Sequence, residues 1–271
     1  MPGAEEETWF VGDLGDPWVA EIAAKLPASA RRRDCRGDLP ESWMLDEPAP
    51  ATLVLHRPFL NPTDTIRLAR LRARGETTTR VILCLGPHSR HDELVRSSRL
   101  FDVVLPEATA SETIRRHLDA TPTPTPTLGR RSPLQVVSGL HDIRLVLSEV
   151  CRHAGFVPTL CSDTPDLRPR GLVLWDAPVL NARWPDRLAE LARSATVIGL
   201  FGFADRAIVA TARRAGASAC LDWPCDLDDL TYVLDRMASI AGADLAHVVP
   251  PLPIMTRRGG GVEVADRRQS S

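Results

Sequence analysis

Short runs of consecutive apolar residues alternate along the chain with longer stretches in which apolar positions return every three or four residues. Trp9–Val11, Thr52–Leu55, Val81–Leu85 and Val103–Leu105 are of the first kind and predict short, buried strands. Pro17–Leu26 and Thr63–Arg74 are of the second, with Ile66, Leu68 and Leu71 on a helical spacing. Ser89–Ser98 and Ala110–Leu118 are polar enough to be surface helices that pack a single stripe. The order is strand, helix, strand, helix.

The same order returns in the second half with sharper definition. Leu134–Val137, Phe156–Cys161, Leu172–Trp175, Val197–Phe201 and Ala219–Leu221 read as strands. Helices are expected over Asp142–Ala154, Pro185–Arg193 and Asp205–Ala215, with a last one opened by Asp226 as N-cap and carrying Leu230, Val233, Leu234 and Met237 on one stripe. Between the halves, Thr121-Pro-Thr-Pro-Thr-Pro-Thr127 lacks every second amide proton and reads as a semi-rigid spacer. Uniformly apolar strands between amphipathic helices predict an α/β fold, two doubly wound domains, each with a parallel sheet covered on both faces. The expected bounds are residues 5–119 and 131–240, with a linker over 120–130 and a disordered tail over 244–271 that could also serve as a docking peptide. Ser162–Gly171, with two prolines, predicts a short or missing helix between the second and third strands of the second domain.

Composition narrows the function classes. A chain of 271 residues that is 44% hydrophobic and 25% charged can bury two cores, and a net charge of -2 gives no reason to expect nucleic acid as a partner. No apolar run is long enough for a membrane span and the acidic start does not resemble an export signal, so a cytoplasmic protein is expected. The 6 cysteines lack paired metal-ligand spacing and read as reduced core thiols. His88 and His91 share a helical spacing without a third ligand, which favours solvated surface. Among the 33 basic residues, Lys25 is the single lysine.

The second half resembles the response-regulator receiver family. The matching text is Gln135-Val-Val137 with Arg144, Gly155-Phe-Val157, Leu172-Val-Leu-Trp-Asp176, Val197-Ile-Gly-Leu200, Ala215-Gly-Ala217, Leu221 and Trp223-Pro224. The first half resembles a more diverged copy through Val11, Thr52–His56, Val81–Gly86 and Phe101–Pro106. The resemblance implies flavodoxin-like domains with five parallel strands in the order 2-1-3-4-5. It also places Asp176 at the phosphoacceptor position. Ser138 and Gly139 stand where the family has its magnesium-binding acidic pair, Phe201 where it has a switch hydroxyl, and Trp223, before Pro224, where it has a lysine. In the first half His56 falls at the acceptor position, Leu85 at the hydroxyl and Leu105 at the lysine, with Asp13 beside Gly12 as the remnant of the acidic pair.

With the cation, the switch hydroxyl and the acidic pair gone, a pair of pseudo-receivers is expected, with no enzymatic turnover and no cofactor. Weak Mg²⁺ binding is expected only if Asp176 is active. The leading reading is a signalling or scaffold module that acts through protein–protein contacts, its partner unnamed. The resemblance implies a face formed by the fourth helix, fifth strand and fifth helix, where Arg206, Arg213, Arg214, Asp228, Asp229, Asp235 and Arg236 supply both charge signs, as a homodimer through the second domain requires. Two alternatives stand beside it: a response regulator phosphorylated on Asp176, and a small-ligand binder at the C-terminal ends of the strands. Asp205 reads as a helix N-terminal charge.

Overall fold

The computed structural model describes residues 7–41, 48–73, 79–86, 97–119, 133–162, 171–179 and 181–246. The first sheet holds β1 (Thr8–Gly12), β2 (Arg31–Asp34), β3 (Thr52–Arg57), β4 (Arg80–Leu85) and β5 (Val103–Pro106) in the order β2-β1-β3-β4-β5, every pairing parallel. The second holds β6 (Pro133–Val137), β7 (Val157–Cys161), β8 (Gly171–Asp176), β9 (Ala195–Gly202) and β10 (Ala219–Trp223) in the order β7-β6-β8-β9-β10, again parallel throughout. Both are the doubly wound order expected from the sequence, in which the strand order reverses beside the first strand of each domain.

Side-chain alternation along each strand divides each domain into two cores. In the first, Trp9, Val11, Leu53, Leu55, Val81 and Leu83 face α2 (Pro62–Ala73), while Phe10, Val54, Ile82 and Cys84 face α1 (Pro17–Ala24) and α3 (Glu107–Leu118). In the second, Leu134, Val136, Leu172 and Leu174 pack on α4 (His141–His153) and α7 (Leu227–Ala246). Val137, Val173, Val197 and Phe201 pack on α5 (Trp184–Ala192) and α6 (Arg206–Arg214). The stripe Leu230, Val233, Leu234 and Met237 is buried along α7, each side chain worth about 1.5–3 kcal/mol on area grounds. Asp205 caps α6 by accepting the Ile208 amide at 2.7 Å, and Asp226 caps α7 by accepting the Asp228 amide at 2.9 Å.

Three features depart from the sequence reading. β2 has no apolar pattern, because it is an edge strand whose arginines are used locally. Arg33 and Arg31 stack over the Trp9 ring at 4.0 and 5.5 Å, and Arg32 donates to the Ala23 and Leu26 carbonyls at the end of α1. α3 is not a surface helix with one packed stripe. Ala108, Thr109, Ala110, Ser111, Thr113, Ile114 and His117 are all buried, since one side of the helix lies on the first sheet and the other against α6, β10 and α7. Its small side chains permit that double approach. α7 continues to Ala246, past the expected boundary at 240.

The linker, residues 88–96 with His88, His91 and most of the helix expected over Ser89–Ser98, most of Ser162–Gly171, and the tail from residue 247 lie outside the described residues, while Ser98–Leu100 forms a short 3-10 turn. Among those described, all six cysteines are free, and burial pushes the thiols of Cys84, Cys151, Cys220 and Cys225 up to about 12. Among the same residues no helix is long and apolar enough to cross a membrane.

Candidate functional site

The C-terminal ends of β6 and β8 bring Ser138 and Asp176 together. Ser138 is buried and its hydroxyl donates to Asp176 Oδ2 at 2.6 Å, while its oxygen accepts the Leu140 amide at 3.1 Å. Arg144 reaches back from α4 to the Ser138 carbonyl, so the turn after β6 is tied down from both sides. Gly139 has open space where a side chain would project. Beside Asp176 lies a cavity of about 310 Å³, lined among others by Gly139, Ser162, Asn181, Arg183 and Arg187. Arg183, Arg187 and Asp176 bring both charge signs to its lining, and Arg187 pairs with Glu190 at 3.2 Å.

Phe201 and Trp223, the other residues singled out in the second domain, do not line this cavity. Phe201 is fully buried with its ring edge-on to Trp184, centroids 5.5 Å apart. Gly199, two residues earlier on the same face of β9, leaves room for that ring: a Cβ there would lie 2.4 Å from the Phe201 Cε2. Trp223 packs against the opposite core, and its peptide bond to Pro224 is cis. Asp222, one residue before Trp223, accepts the Ala204 amide at 2.7 Å, and burial raises its pKa.

The first-domain pocket is organised around a different pair. His56, at the end of β3, is 3% exposed and its Nε2 lies 2.6 Å from Glu107 Oε2. An ionised carboxylate only accepts, so Nε2 carries a proton. Gly12 faces this histidine closely, since a Cβ on it would lie 3.0 Å from the His56 Cβ. Asp13 accepts the Gly15 amide at 2.9 Å and pairs with Arg36 at 3.2 Å, so it is turned into its own loop. Leu85 and Leu105 are buried in the two cores. Next to His56, Arg57 forms a buried pair with Asp64 at 2.5 Å, and Asp64 also accepts the Leu39 amide at 2.7 Å.

Five of the seven charged residues expected to form a face toward another molecule touch the first domain instead. Arg206 donates through Nε and Nη2 to Glu107 at 2.5 and 2.9 Å and through Nη1 to Asp16 at 2.7 Å. Arg213 reaches Glu21 at 2.7 Å and Ser111 at 3.1 Å, and Arg236 lies 3.7 Å from Glu112. Asp228 and Asp229 receive Arg116 at 2.8 and 2.9 Å, and Asp229 also meets His117 at 2.9 Å. Trp18 lies beneath both Arg206 and Arg213, and Ala108 joins the second domain's core cluster. Arg214 bonds within α6, and burial raises the pKa of Asp235. The acidic end of the first domain thus meets three arginines and its basic end meets three aspartates, Asp226 being the third.

Sequence reading did not single out Glu107, Asp16 or the Arg57–Asp64 pair. Glu107 carried a local signal, as the acidic residue directly after the fifth-strand Leu105-Pro106 at a helix start. Burial opposes the charge on Glu107, but hydrogen bonds from His56 and Arg206 outweigh it and bring its pKa down to about 2. The bonds from Arg206 to Glu107, opposed by burial and helped by the bond to Asp16, raise the pKa of Arg206.

No protein-family model matches the chain, and no curated protein sequence matches it. Solved structures do. A chain from Burkholderia thailandensis assigned to pilus assembly (cpaE) matches at 20% identity and TM-score 0.35, over 40% of this chain and 98% of that one. A response regulator receiver domain from Clostridium thermocellum matches at 19% identity and TM-score 0.36, over 41% of this chain and 98% of that one. The C-terminal part of E. coli RcsC, a linker region with a phosphoreceiver domain, matches at 13% identity and TM-score 0.33, over 92% of this chain and 98% of that one. Strand order and parallel pairing make the assignment of fold: the chain is a tandem of flavodoxin-like domains.

Proposed function

We propose that this protein is a cytoplasmic, non-catalytic signalling or scaffold module that works through protein–protein contacts, with phosphoryl chemistry given up in both halves and no cofactor required. The observation that carries this reading is the pairing of Asp176 with Ser138; the positions that the receiver resemblance gives to the hydroxyl and the cation hold the buried Phe201 and the partly buried Trp223. Phosphoryl transfer is accelerated mainly by positioning and by neutralising charge on the transferring oxygens. A neutral hydroxyl hydrogen-bonded to the acceptor carboxylate supplies neither a metal ligand set nor a cation. In the first half, the acceptor position holds a histidine already engaged with Glu107.

The cavity beside Asp176 favours one second reading, a small anionic ligand held by Arg183 and Arg187. Calorimetric titration with Mg²⁺ tests the leading reading, comparing the full chain with Asp176→Asn. No Asp176-dependent heat is expected, whereas micromolar binding lost in the variant overturns the reading in favour of a working receiver.

A further inference from the structure

Glu107 is the residue through which the two domains are joined chemically as well as sterically. Its carboxylate is 3% exposed and would be costly to bury alone. One partner, His56, comes from the end of β3 in its own domain, and the other, Arg206, comes from the first turn of α6 in the second. Oε2 is shared by both. The third nitrogen of the same guanidinium bonds Asp16, whose other oxygen caps α1 by accepting the Trp18 amide at 2.9 Å. A single arginine therefore holds both first-domain helices that face the second domain. We propose that the first domain's former acceptor pocket has become an interdomain latch, in which His56 fixes the Glu107 carboxylate so that it clamps Arg206 and keeps the α6–β10–α7 face covered.

The geometry explains why the histidine matters to a contact it does not itself make. A glutamate side chain has three rotatable bonds, and Oε1 and Oε2 can meet Nε and Nη2 of one guanidinium together only in a fixed orientation. The 2.6 Å bond from the buried imidazole supplies that orientation before the second domain docks. Gly12 leaves the space in which the imidazole stem sits. Other charge pairs flank the latch: Arg213 with Glu21 and Arg116 with Asp228 each have a partner open to solvent, while Arg116 with Asp229 is largely buried.

The test is hydrogen exchange on the full chain. In Arg206→Gln, amides of residues 107–118 and 206–214 are expected to exchange about tenfold faster or more, the loss of a charge-assisted bidentate contact, while β6 and β7 stay at wild-type rates. His56→Gln is expected to accelerate residues 206–214 as well, although its side chain bonds within its own domain. The double variant should exchange no faster than the more affected single, because both act through one carboxylate. Wild-type exchange in Arg206→Gln, or a double variant equal to the product of the singles, overturns the latch. Should His56→Gln unfold the first domain, His56→Asn takes its place in the cycle with Arg206→Gln: acceleration of residues 206–214 that does not multiply supports the latch, and wild-type exchange in His56→Asn or multiplicative acceleration overturns it.

Discussion

Placing a hydroxyl at position 201 by Phe201→Thr should destabilise the second domain. The Phe201 ring is fully buried, meets Trp184 edge-on at 5.5 Å, and occupies the space that Gly199 leaves free. Removing a buried phenyl group costs about 3–5 kcal/mol in lost transfer energy and cavity. The edge contact accounts for about 0.5–1.5 kcal/mol of that range. Threonine returns one methyl but places a hydroxyl inside a buried apolar cluster, which adds about 1–3 kcal/mol unless the hydroxyl finds a partner. A loss of about 3–7 kcal/mol is therefore expected, the returned methyl offsetting about 1 kcal/mol, against about 1 kcal/mol for Phe201→Leu. Native-state hydrogen exchange of β8 and β9 amides in the full chain measures it, because it reports the opening free energy of one domain without requiring both to unfold together. A loss below about 1 kcal/mol for Phe201→Thr would show that the ring is not a packed core element, and the argument for the altered pocket would fail.

Gly199→Ala should destabilise β9 by about 1–3 kcal/mol in the same exchange experiment, because the new methyl meets the Phe201 ring, and combining it with Phe201→Leu should recover part of the loss. Asp176→Ala should cost about 1 kcal/mol, the net worth of its hydrogen bond from Ser138, measurable as a small shift in the second domain's urea midpoint. Acid should loosen the interdomain contact. Glu107 has a folded pKa of about 2 against an ordinary 4.5, so its contribution, about 3 kcal/mol, is fully present above the unfolded value and is lost as pH falls from 4.5 toward 2. Glu107→Gln should flatten that part of the stability profile, and an unchanged acid limb in this variant would contradict the assignment.

The parallel sheets were legible because buried strands leave continuous apolar runs, and α7 because Leu230, Val233, Leu234 and Met237 keep one helical stripe. The caps Asp205 and Asp226 were legible because capping is local. β2 was not, since an edge strand needs no apolar pattern and Arg31, Arg32 and Arg33 are placed by Trp9 and by the end of α1. Nor was the burial of α3, whose Ala, Thr and Ser residues read as surface until a second domain covers them. Ser138 and Asp176 were found by position in the receiver pattern, while their hydrogen bond, 38 residues apart, came from the fold. Glu107 and Arg206, 99 residues apart, pair only once two domains dock, and nothing in the local spacing announces it.

In the proposed function, neither half retains receiver phosphochemistry. This is tested most directly by incubating the full chain with acetyl phosphate and Mg²⁺ and following intact mass over time, beside Asp176→Asn. The account expects no phosphoryl adduct that depends on Asp176, since loss of even one electrostatic donor costs about 10²–10³ in rate and this pocket lacks several. Stoichiometric modification of the wild type that disappears in Asp176→Asn would contradict it.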